Sequence, residues 1–174
     1  ILVSKVNGNI VDTLMPSLSS FELSLGFMIG GVLRGLFVAT GVLVVIFPFL
    51  SLFPVNLFTL YFYITMGSIT FSLLGILVGV FCKKFDQMSA VNNFFIAPLS
   101  FLSGTFYSVS KLPGPFDVIS FFNPVFWLMD GVRFGALGEA ESNIFLGCLG
   151  IMSVNLILFL TVWKWFSVGY FLKD

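Results

Sequence analysis

The sequence predicts an all-α membrane protein with four transmembrane helices and two short re-entrant or interfacial helices. Three observations carry this. The 174 residues are 58% hydrophobic and only 9% charged, where a soluble domain carries about 25% charged residues. An apolar exterior that water would penalise is what lipid favours. The apolar residues gather into four runs near the length of about 20 that a spanning helix needs. The charges fall mostly between those runs, and the basic ones sort to one side.

Residues 1–22 are not membrane-like, and read as a cytoplasmic segment ahead of a transmembrane domain over 23–174. Lys5, Asn7, Asn9 and Asp12 alternate with Ile10, Val11, Leu14 and Met15 until Pro16 breaks the pattern. Ser19 and Ser20 followed by Glu22 form a capping signature for the next helix. The first span is expected at about 30–53, within an apolar run interrupted by Arg34 and Pro48. The others are expected at about 57–81, 88–107 and 144–166. The chain opens on Ile1 with no charged and apolar leader pattern, so its start reads as interior to a longer protein.

The loop with Lys83 and Lys84 sets the orientation if placed in the cytoplasm. Lys5, Lys164 and Lys173 then lie inside too, and so does Arg34 if it sits at the inner interface. Lys111 and Arg133 are left outside with Asp117, Asp130, Glu139 and Glu141. Both ends of the segment are then cytoplasmic.

The outer segment, 112–138, is expected to be membrane-seated. Lys111-Leu112-Pro113-Gly114-Pro115 is a turn. Phe116–Phe122 fits two helical turns. Asn123 then caps a helix with Pro124 at a favoured first position, and Val125–Phe134 follows. At about 1.5 Å per residue neither helix crosses a core of about 30 Å. Their Phe, Trp and Met content suits the interface or a re-entrant hairpin.

Catalytic candidates are sparse. Without histidine, Ser-His-Asp, Cys-His and His-metal sites are excluded. There is no phosphate-binding G-x-x-x-x-G-K-[ST] loop and no carboxylate pair within a span. Neither a metal nor a cofactor is expected on this chain. The zero formal net charge suggests no nucleic-acid partner. Cys82 and Cys148 lie toward opposite faces and read as small apolar residues.

A charge at the bilayer centre costs about 2.5–3.5 kcal/mol on insertion scales. Arg34 is therefore expected to snorkel to the inner surface, with a pathway role as the rival reading. Gly26 and Gly30, Gly31 and Gly35, Ser68 and Ser72, and Gly75 and Gly79 stand four apart. That spacing suits close helix packing, inside one bundle or across a dimer. Asp130 and Arg133, three apart, are expected to pair. Asn92 and Asn93 suit interhelical hydrogen bonds.

An ordered set of motifs resembles a known family. Ala97-Pro98-Leu99-Ser100-Phe101-Leu102-Ser103-Gly104-Thr105-Phe106-Tyr107-Ser108 is followed by Leu112-Pro113, Asn123-Pro124 and Asp130-Gly131-Val132-Arg133-Phe134-Gly135. Upstream stand Gly30-Gly31-Val32-Leu33-Arg34-Gly35-Leu36-Phe37-Val38 and Gly79-Val80-Phe81-Cys82-Lys83-Lys84-Phe85-Asp86. Together they resemble the permease subunit of ABC-2 type transporters, near its YadH-like bacterial inner-membrane branch.

The resemblance implies a six-span permease of which this chain carries the last four spans. It implies an ATPase-coupling segment containing Asp12, Leu14, Pro16 and Glu22. Gly30, Gly31, Arg34 and Gly35 would serve inner-interface packing. Gly104, Pro113, Phe122, Asn123, Pro124, Trp127, Asp130 and Arg133 would form an outer gate. It also implies a permease homodimer in membrane lipid with two ABC ATPase subunits, which bind the ATP and Mg. The expected function is export of a hydrophobic, glycolipid, polysaccharide or drug-like substrate from the bacterial inner membrane. The coupling stretch, Asp12-Thr13-Leu14-Met15-Pro16-Ser17, is less acidic than is usual in such relatives. Two rival functions are a membrane-embedded enzyme on lipid-linked substrates and a non-transporting membrane scaffold.

Overall fold

A computed structural model of the chain describes residues 1–7, 18–50, 53–104 and 122–169. The described residues are helical throughout their regular structure: α1 (Leu2–Val6), α2 (Ser20–Leu50), α3 (Leu57–Phe81), α4 (Phe85–Val91), a π turn (Asn92–Ile96), α5 (Ala97–Phe101), α6 (Pro124–Leu137) and α7 (Ile144–Ser167). The expected helix Phe116–Phe122 up to its last residue, the turn at Pro113 and the candidate residues Asp12, Leu14 and Pro16 lie outside the described residues.

Local chemistry sets most helix ends. Ser19 and Glu22 form a reciprocal capping box: the Ser19 backbone N–H donates to Glu22 Oε2 at 2.7 Å and the Glu22 N–H donates to Ser19 Oγ at 3.3 Å. Pro48 stands near the far end of α2. It has no N–H for the ladder and crowds the carbonyl four residues back, and the helix stops within a turn. Asn56 caps α3 by accepting from the Thr59 N–H at 3.1 Å, and Asn143 caps α7 by accepting from the Phe145 N–H at 3.0 Å. Asn123 caps α6 with Pro124 in its first turn, as the sequence predicts.

Among the described residues three helices, α2, α3 and α7, are long and apolar enough to cross a membrane. The expected span 88–107 takes another form. Helix starts earlier, at Phe85, passes through the π turn and ends at Phe101. The three pieces together rise about 25 Å at 1.5 Å per residue, short of a core of about 30 Å. Pro98 explains the π turn. Its ring would clash with the Phe94 carbonyl in a regular helix, and the widened turn directly before it spreads those groups apart. The Ala97 N–H accordingly reaches five residues back, to the Asn92 carbonyl.

Helix α3 is the centre of the bundle, packed against α2, α6 and α7. Two apolar clusters lie along it. One joins Leu73, Ile76 and Val80 to Val162 and Phe166. The other joins Tyr63 to Leu128 and Ile151. Cys82 and Cys148 are both free, one beyond the first cluster and one beside the second. Helix α2, by contrast, leaves Leu33, Phe37 and Val44 more than half exposed. The limb formed by α4, the π turn and α5 buries none of its residues.

Candidate functional site

The glycine spacings resolve into distinct contacts. A Cβ on Gly31 would lie 2.1 Å from Ser72 Oγ, and one on Gly35 would lie 2.4 Å from Ser68 Oγ. Two small-residue pairs that the sequence offers separately are therefore two sides of one crossing, between α2 and α3. The close approach also lets the Ser72 hydroxyl donate to the Met28 carbonyl of α2 at 3.2 Å. Gly26, Gly30 and Gly75 have open space where a side chain would stand.

Helix α6 approaches α3 still more closely. A Cβ on Gly135 would sit 2.5 Å from the Leu60 backbone nitrogen, and one on Gly131 would sit 2.3 Å from the Tyr63 ring. Gly67 faces Leu128. This register runs α6 antiparallel to α3, from the Leu57 end inward to about the middle of α3. The four-residue spacing of Gly131 and Gly135 is legible in the sequence, but their use as a backbone-contact face comes from the fold. Trp127 fills the space above Gly147 of α7, where a Cβ would come within 2.7 Å of the indole.

The polar residues of α6 tie it to its surroundings. Asp130 is 1% exposed and accepts the Glu141 N–H at 2.9 Å, the Ser142 N–H at 3.0 Å and the Ser142 hydroxyl. It thereby satisfies backbone groups just ahead of α7. Arg133 donates to Glu141 Oε1 at 3.0 Å and to the Gly104 carbonyl at 2.6 Å. The expected pair of Asp130 with Arg133 does not form: each turns to a different group on the segments flanking α6. Gly104 has a φ of 73°, a left-handed conformation that glycine adopts without cost, and this turns its carbonyl within reach of Arg133.

At the inner end of α6, Asn123 has two jobs. Its Oδ1 accepts the Val125 N–H at 3.0 Å, and its Nδ2 donates to the Leu99 carbonyl at 2.7 Å. That carbonyl belongs to α5, just after Pro98, so the start of α6 is pinned to the broken helix. Phe122, one residue earlier, is 85% exposed. Gly104, Asn123, Pro124, Trp127, Asp130 and Arg133 thus gather around α6, while Phe122 points away from the bundle.

One polar contact escapes the sequence reading. Asn155 of α7 accepts the Thr70 hydroxyl at 2.7 Å and donates to the Met66 carbonyl at 3.2 Å. A lone amide inside an otherwise apolar helix is a readable signal, and here it bonds α3 to α7 at mid-length. Glu22 serves its own helix as a cap. Asn92 and Asn93 lie exposed in the π turn.

Among the described residues no cluster of metal-binding side chains occurs. The arrangement offers caps and inter-helix clamps, and among the described residues no nucleophile is paired with a base.

Comparison with known proteins agrees in kind. The family model described as "ABC-2 type transporter" matches residues 1–137. The chain is 34% identical over 177 aligned residues to "Inner membrane transport permease YadH" of Escherichia coli strain K12, covering 98% of this chain and 67% of that protein. The same figures hold for the protein of that name in Shigella flexneri. "Nodulation protein J" of Rhizobium leguminosarum bv. viciae is 27% identical over 95 residues, 55% of this chain and 36% of that protein. No solved structure matches the chain.

Proposed function

Because this chain belongs to the ABC-2 type transporter family, a family of membrane transporter subunits, we propose that it is the permease subunit of an ATP-driven exporter in a bacterial inner membrane. The observation that carries the reading is α6, a helix too short to span that is pinned at one end to a broken helix. Asn123 holds its start to Leu99, and Arg133 and Asp130 hold its outer half. Helix shifts are one way a protein switches between two states, and in this reading a shift of α6 opens and closes the path.

In this reading two copies of the permease work with two ABC ATPase subunits that carry ATP and Mg. The region of Asp12, Leu14, Pro16 and Glu22 docks on the ATPase, and both ends of this segment face the cytoplasm. The outer segment 112–138 is the gate. The substrate is hydrophobic or amphipathic, of the glycolipid, polysaccharide or drug-like kind.

The test is cysteine labelling at Phe122 and Trp127 in the complex with the ATPase. Labelling that changes between nucleotide-free and ATP-bound states supports a gate. Labelling indifferent to nucleotide sinks it and favours a scaffold. Coupling is tested with Glu22→Gln, because a glutamine preserves a capping box while removing the charge. Reduced transport-coupled ATPase activity supports docking there, and unchanged activity removes Glu22 from the docking surface.

A further inference from the structure

The crossing of α2 and α3 fixes the level of Arg34 along the bundle. Gly35 faces Ser68 and Gly31 faces Ser72, so Arg34 lies level with the centre of α3, which runs from Leu57 to Phe81. At about 1.5 Å per residue, that is nearly 20 Å from either end of α3. The expected place at the inner surface would require the bilayer surface to cut α3 in half. No carboxylate among the described residues pairs with Arg34. It borders instead a cleft of about 470 Å³, within the range of about 300–1,000 Å³ typical of small-molecule sites.

The cleft's chemistry is one-sided. Gly75 leaves open space along its floor, Gly31 and Gly79 border it against Ser72 and Ile1, and Phe27, Phe71 and Ile76 make apolar walls. Ser72 and Arg34 supply its polar side chains, and Arg34 its formal charge. Arg34 is exposed beside the cleft, and at this level of a bilayer an anion would offset its charge, because an unpaired charge in an apolar medium is costly. Phosphate and carboxylate suit its planar fork. We propose that this cleft binds an amphiphile with one anionic head, a phosphate or carboxylate held by Arg34, and an apolar tail along α2 and α3. This goes beyond the transport reading and does not require it, because binding is measured without the ATPase.

The test uses the full-length protein in phosphatidylcholine nanodiscs, with dodecyl phosphate as probe and dodecyl maltoside as its uncharged control. Wild type should prefer the phosphate by roughly tenfold to a hundredfold, the value of a charge-assisted contact. Arg34→Gln should abolish that preference, and Arg34→Lys should keep part of it. Gly75→Leu has room at its own Cβ and retains the charge, but should block the probe by filling the cleft. An unchanged preference in Arg34→Gln, or full binding in a folded Gly75→Leu, overturns the proposal. So does an equal affinity of wild type for both probes. Two sources of the anion are separable. Anionic phospholipid that copurifies with wild type and is lost in Arg34→Gln marks a resident lipid. Probe released on adding ATP to the complex with the ATPase marks a carried substrate.

Discussion

A side chain at Gly135 would meet the Leu60 backbone, which cannot move aside as a flexible side chain can. Gly135→Ala should therefore destabilise the protein by about 1–3 kcal/mol, the usual cost of overpacking, read as a lower midpoint in thermal or denaturant unfolding in detergent. Gly26→Ala makes the informative contrast. Its Cβ enters open space, and alanine gains up to about 1 kcal/mol in helix propensity over glycine. The same measurement should leave that variant unchanged or more stable. Equal losses at the two sites would show that the register of α6 on α3 is wrong. Asp130 belongs to this scale too. Asp130→Ala leaves half-buried donors ahead of α7 without their acceptor, at a cost of up to about 1–3 kcal/mol, so faster amide exchange is expected at Glu141 and Ser142. The sequence marks Asp130 and Arg133 as unusual, but not their partners, because the turns on either side of α6 reach them only through the path the chain takes in the fold.

At the scale of elements, α6 and the broken helix before it form a coupled pair. Asn123→Ala removes both the cap and the bond to Leu99, so it should cost more than the roughly 1 kcal/mol of a lost cap. Asn123→Ser keeps a capping oxygen but not the amide donor. The stability difference between the two variants isolates the cap, and the loss that remains in Asn123→Ser isolates the link to Leu99. The π turn has its own test. Pro98→Ala restores a backbone donor and removes the ring clash, so the limb should relax toward regular α-helix. Slower amide exchange around Phe94 and Phe95 would report that change, and unchanged exchange would mean that Pro98 does not cause the π turn. The capped starts at Asn56, Asn123 and Asn143 are legible from residue type alone, since capping is local. The π turn is less so: proline announces a break, and the form of the break depends on how the neighbouring turns absorb it.

At the scale of the molecule, polarity is so scarce that each internal polar contact carries specific weight. Thr70 and Asn155 join α3 to α7 at mid-length. Asn155→Leu should weaken that association by about 0.6 kcal/mol, and by no more than about 1.7, as for hydrogen bonds between membrane helices generally. A loss several times larger would show that the amide does more than hold two helices together. The uncovered face of α2 and the unburied limb of α4 and α5 leave much apolar surface outside the bundle. Lipid covers such surface without cost, so exposure there does not by itself identify a partner.

Apolar run length and residue-type signals at the helix ends determined the all-helical membrane class, three of the four expected spans as long helices and the caps at Ser19 and Asn123, because these depend on neighbours in sequence and on the solvent. Tertiary structure decided which glycines meet which helix, which groups Asp130 and Arg133 engage, and which turn of α3 lies level with Arg34. Each of these is a matter of register between helices, set by how closely two backbones can approach, and such distances are not written in the spacing along either one.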